Sequence, residues 1–129
     1  MTWRSPDADA WVSRLGLVVI WRDLQELDEL IVPPVIALRA TTTAPERRWL
    51  IFHAIAHLRL HTGNQLYLVR SGDSVRLAKQ EHQAEVWTAR LLVPGCELMA
   101  AIADGLAGDE LAEMFSVPAA GIALGIGLL

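Results

Sequence analysis

The sequence predicts an α+β domain, in which a small N-terminal β-sheet packs on a helix bearing two histidines and short helices close the C-terminal third. Three observations predict it. Apolar β-formers cluster at Leu17–Trp21 and Val35–Ala40, a capping signal at Thr43 opens a long apolar helix, and glycine and proline punctuate the remainder into short helical segments. At 129 residues the chain suffices for one modest core and not for two, so residues 1–129 read as a single domain.

Taken in order, Asp7 to Leu15 places Ala8, Trp11, Val12 and Leu15 at helical spacing, with Ser5 as N-cap, Pro6 in the first turn and Gly16 as the stop. Leu17-Val18-Val19-Ile20-Trp21 suits a buried strand. In Leu30 to Leu38, Pro33 and Pro34 cannot donate ladder hydrogen bonds, so they divide an approach segment from a strand at Val35 to Ala40. Thr43-Ala44-Pro45-Glu46 reads as a capping box that starts a helix running to about His61. Leu66 to Val69 is a short strand or ordered loop, and Ser71-Gly72-Asp73-Ser74 is a turn before a helix over Val75 to Leu92. Beyond Pro94-Gly95, short helices are expected at Glu97 to Ala103, Asp109 to Phe115 and Ala119 to Leu128.

Composition narrows the function classes. A net charge of −4 with scattered basic residues argues against a nucleic-acid surface. The last expected helix, Ala119 to Gly125, has no basic or amide side chain to read bases. No apolar run is long enough for a bilayer, and no export signal opens the chain, so no membrane association and a cytoplasmic location are expected. The apolar stretch Val117 to Leu129 reads as a packed or partner-facing helix, with a homodimer through this C-terminus as one outcome. A lone cysteine, Cys96, excludes an internal disulfide and a cysteine-rich zinc knuckle.

Any metal must therefore come from histidines and carboxylates. His53 and His57 stand four apart on the expected helix, on one face and within reach of one ion. His61 continues the stripe but lies roughly 12 Å along the axis from His53, too far to share that ion, and suits a helix C-terminus. A third ligand must come from another segment, and Glu81 on the following helix is the candidate. Glu85, one turn on, suits a partner for the free ring N–H of a ligating histidine. His82 is rotated about 100° from Glu81 and reads as surface. Trp49, Phe52, Ile55, Leu60, Trp87, Leu91 and Leu92 read as core, and Arg47-Arg48 as a solvated helix turn.

The segment Arg48-Trp49-Leu50-Ile51-Phe52-His53-Ala54-Ile55-Ala56-His57-Leu58-Arg59-Leu60-His61 resembles the active-site helix of ImmA/IrrE zinc metallopeptidases, with its H-E-x-G-H or H-E-x-A-H motif and Leu-His tail. Glu81 to Pro94 is similar to that family's E-x-x-A-N-x-F-A-x-x-L-L-M-P helix, and Leu111 to Pro118 to its downstream helix. The resemblance implies a minimal zincin-like fold, zinc held by His53, His57 and Glu81, and a role in cleaving or binding a helix-turn-helix repressor in stress or mobile-element gene control. Two positions depart. Glu85 stands where the family has Asn or Asp, and Ala54 stands where an H-E-x-x-H enzyme carries its general base. Loss of that base removes about 10²- to 10⁴-fold of rate. The expectation is a regulatory domain with absent or strongly impaired peptidase activity, or a non-catalytic interaction module with a structural metal or none.

Overall fold

The computed structural model describes residues 3–41, 43–61, 72 and 74–129. Its elements run α1 (Ala8–Arg14), β1 (Val18–Arg22), β2 (Glu29–Val32), β3 (Val35–Arg39), α2 (Ala44–Leu60), α3 (Ser74–Leu92), α4 (Gly95–Ala103), α5 (Asp109–Phe115) and α6 (Ala119–Gly127). The α+β class is thus as expected, and the three C-terminal helices fall within two residues of their expected bounds. The expected strand or loop at Leu66 to Val69, and Ser71 and Asp73 of the turn, lie outside the described residues.

The sheet has the order β1-β3-β2, with β1 parallel and β2 antiparallel to the central β3. The segment before the prolines is itself a strand, and the Pro33-Pro34 peptide turns it directly into β3. Neither proline has to donate to the ladder, because both lie at the bend. Side chains alternate across a strand, so Ile31 of β2 shares a face with Ile36 of β3, and Glu29 shares it with Leu38. Ile31, Ile36 and Leu38 are buried, which fixes that face as the inner one.

Against this face lies α2, the central helix. Leu50 to His57 are all buried, an unbroken run that only a helix packed on every side can carry. Phe52 and Ile55 are core as expected, whereas Leu60, near the end, is exposed. The α2 N-cap is Thr43, but no side-chain cap bond forms there. Instead the Glu46 carboxylate accepts from the hydroxyls of Thr41 at 2.7 Å and Thr43 at 3.3 Å and pairs with Arg39 of β3. The expected capping box is replaced by a tie from helix to sheet.

Arg48 also departs from its solvated reading. It is half-buried and donates to the carbonyls of Pro6 at 2.9 Å, Phe115 at 2.9 Å and Ser116 at 3.1 Å, joining α2 to the N-terminal segment and the end of α5. It also donates to the Ser5 hydroxyl, so Ser5 is not the cap of α1; Asp7 caps it, accepting from the N–H groups of Asp9 and Ala10. Helix α3 packs chiefly on α2 and buries Ala84, Thr88, Ala89 and Leu92. Small residues at three of these positions let the two helices approach closely, which matters because Glu81 continues the same stripe. Trp11 of α1 packs edge-on against Phe52 and Trp87, with ring centroids at 5.6 and 6.0 Å. The apolar C-terminus is packed: Gly121 of α6 lies against the Trp49 ring and Gly125 against Val93. Among the described residues no single helix is long and apolar enough to cross a membrane.

Candidate metal centre

Three elements converge on one point. Helical spacing puts His53 and His57 on one face of α2, their ring centroids 4.9 Å apart and both side chains buried. Glu81 reaches them from α3, with Oε1 2.9 Å from His57 Nε2 and Oε2 3.4 Å from His53 Nε2. The three residues singled out from the sequence are therefore brought together. The structure adds a fourth that the sequence reading missed: Glu29 of β2, whose Oε2 lies 3.1 Å from His53 Nδ1 and whose Oε1 lies 2.9 Å from His57 Nε2. One ligand atom from each of Glu29, His53, His57 and Glu81 falls within 4.8 Å of the others.

Glu85 does not take the role expected of it. It is exposed on the rim of a cleft of about 310 Å³ that opens beside His53 and Glu81, and among the described residues the carboxylates placed against the two histidines are those of Glu29 and Glu81. One helical turn carries it about 6 Å along α3, away from the buried rings. The carboxylate beside His53 Nδ1 is Glu29. The His61 ring bonds the Gln80 carbonyl of α3 at 3.2 Å while its backbone N–H donates to the His57 carbonyl of its own helix, and His82 is exposed. Cys96 is exposed near the start of α4.

The electrostatics follow from burial. Desolvation alone would raise the Glu29 pKa, but its hydrogen bond to His53 and close contact with His57 outweigh it and hold the carboxyl at about 2. Desolvation would lower His57, yet Glu29 and Glu81 push it up to about 9, and His53 is raised for the same reasons. Without a metal, the neighbouring carboxylates favour the protonated form of both rings. A divalent cation can replace those protons, since it needs neutral imidazoles and ionised carboxylates.

The residues fit such an ion. Two imidazoles and a carboxylate are the donor set of catalytic zinc sites, and ligand atoms on one tetrahedral ion lie roughly 3.4 Å apart, close to the separations found here. Glu29 Oε1 is buried without a hydrogen bond. Its desolvation is offset by positive charge at His57 Nε2, 2.9 Å away, which either a ring proton or a metal ion held there can supply. Ala54 follows His53 and is fully buried among apolar side chains, with no proton-transferring group of its own.

No curated protein and no solved structure matches the chain. The profile of the IrrE N-terminal-like domain, peptidase M78, matches residues 12–124. That span takes in every element of the metal cluster, and with it the chain belongs to the IrrE N-terminal-like (peptidase M78) family.

Proposed function

We propose that this chain is a zinc-binding, metallopeptidase-like regulatory domain whose peptidase activity is absent or strongly impaired, and whose partner is a helix-turn-helix repressor in stress or mobile-element gene control. The observation that carries the reading is the convergence of His53, His57 and Glu81 beside Ala54, in a chain of this family. His53, His57 and Glu81 hold the metal, and bound zinc supplies Lewis-acid polarisation of a carbonyl. The burial of the two rings fixes their orientation and excludes bulk water from that side of the ion. The cleft beside His53 and Glu81, lined also by Pro118, Gly121 and Leu124, receives a peptide segment of the partner. What the chain lacks is a carboxylate at position 54 to accept and return a proton, which costs about 10²- to 10⁴-fold in rate.

The second reading is a non-catalytic interaction module, favoured by the methyl group at Ala54, in which the cleft binds a partner chain and the metal is structural. Two experiments test these readings. Metal analysis of the purified protein is expected to find one zinc per chain, lost in His53→Ala; a zinc-free wild-type protein with unchanged stability in the variant would refute the site. Ala54→Glu, co-expressed with a helix-turn-helix repressor, separates the readings: cleavage of the repressor supports a silenced peptidase, and continued inactivity of the zinc-loaded variant supports the module.

A further inference from the structure

We propose that Glu29 is a fourth protein ligand, so that Glu29, His53, His57 and Glu81 together close the coordination shell and leave no open position on the metal. The proposal rests on the zinc-binding part of the reading above and, of its two forms, selects the structural metal of the interaction module, because three-ligand sites hydrolyse and four-ligand sites are structural.

Position comes first. Glu29 is in phase with Ile31 on the inner face of β2, opposite the fully buried Leu38, where the alternation of a half-buried strand calls for an apolar residue. Its side chain is only 7% exposed. An ionised group held at such a place needs a charge partner, and the groups it faces are the two imidazoles.

The contacts then divide its two oxygens between two tasks. Oε2 accepts from His53 Nδ1 at 3.1 Å, which fixes the tautomer and leaves His53 Nε2 for the ion. Oε1 is buried without a hydrogen bond and lies 2.9 Å from His57 Nε2, the same separation that Glu81 Oε1 keeps from that atom. The two glutamates thus flank His57 Nε2 equally, and what qualifies Glu81 as a ligand qualifies Glu29. A displaced general base would stand off from the ligands by the width of a water molecule; Glu29 is in direct contact with both histidines and has no such gap. Ala54 is in keeping with this arrangement, since a closed site has no use for a base at that position.

The test uses the full chain, stripped of metal and reloaded with Zn²⁺ or Co²⁺ alone. The Co²⁺ protein is expected to show a four-coordinate visible spectrum that azide does not change, because no position is open to the anion. Glu29→Gln, nearly isosteric, is expected to lower zinc affinity by roughly 10- to 100-fold in a chelator competition, and Glu29→Ala to make the Co²⁺ spectrum respond to azide. An azide-sensitive wild-type spectrum overturns the proposal without requiring any variant to fold. Wild-type zinc affinity in Glu29→Gln overturns it while leaving the three-ligand site intact. Failure of the wild-type protein to bind either metal overturns both this proposal and the reading beneath it.

Discussion

Titration of the buried cluster makes the metal-free protein lose stability toward both acid and alkali, by an amount the structure sets. Glu29 has a folded pKa of about 2 against an ordinary 4.5, so its contribution is complete above pH 4.5 and is lost as the pH falls toward 2. His57 has a folded pKa of about 9 against 6.5, so its contribution is complete below pH 6.5 and is lost as the pH rises through 9. Each displacement is 2.5 units, by subtraction of 2 from 4.5 and of 6.5 from 9. At about 1.4 kcal/mol per unit this is on the order of 3 kcal/mol. The two arms report one interaction from its two ends and are not added. Metal-free protein is therefore expected to be most stable between pH 4.5 and 6.5, and to lose roughly 10 °C in Tm on going to pH 9.

The assay is calorimetry or urea unfolding of chelator-treated protein across this range, with Glu29→Gln as the control that abolishes the acid arm and shrinks the alkaline arm, since Glu81 still faces His57. Zinc inverts the alkaline arm. The ion competes with protons for His53 and His57, so the stabilisation it adds grows as the pH rises from 5 toward the His57 value of about 9. A metal-free Tm that holds steady or climbs between pH 6.5 and 9 would show that the histidines do not carry the buried charge that the contacts imply.

Two further predictions concern the frame around the site. Arg48→Met removes the donor to the Pro6, Phe115 and Ser116 carbonyls and is expected to cost about 1–3 kcal/mol in urea unfolding; Arg48→Lys recovers little, because an ammonium cannot span carbonyls that a guanidinium fork reaches together. Gly121→Leu drives a side chain into Trp49, where even a Cβ would lie 2.7 Å from Cζ3, and is expected to destabilise by about 1–3 kcal/mol. Gly127→Ala on the same helix meets nothing within 4 Å and is expected to be neutral or stabilising, so equal losses at the two glycines would disprove the close packing of α6 on α2.

The elements legible in the sequence were those whose signal is local. Thr43 and the Gly and Pro stops bound α2 through α6 closely, and the His53–His57 spacing with Glu81 on the next helix located most of the cluster. What was not legible depended on contacts between distant segments. Arg48 has the look of a solvated helix turn until the chain end brings carbonyls from Phe115 and Ser116 to it. Glu29 was missed for a related reason. Glu29-Leu30-Ile31-Val32 is too short to show alternation beside two prolines, so the segment did not read as a strand and its inward phase was invisible. Once β2 is paired with β3, a glutamate in register with Leu38 on an apolar face is the signal that identifies it. Helical periodicity, visible from one segment, points to Glu85, but periodicity fixes a direction and not a depth: Glu81 reaches the rings, and Glu85 ends at the rim of the cleft.

On the proposed reading, the same geometry gives the cluster a use that does not depend on catalysis. The residues that could hold a metal come from β2, α2 and α3, three segments that a small core must hold in register, and a metal shared among them would act as a cross-link whose binding energy adds to folding energy. In the metal-free state the same atoms keep their ionic contacts only while both histidines stay protonated. A base at position 54 serves turnover alone; the carboxylates at Glu29 and Glu81 serve the cross-link whether or not turnover occurs. On the proposed reading, a requirement for the folded state alone keeps the two carboxylates and is indifferent to position 54, where this chain has Ala.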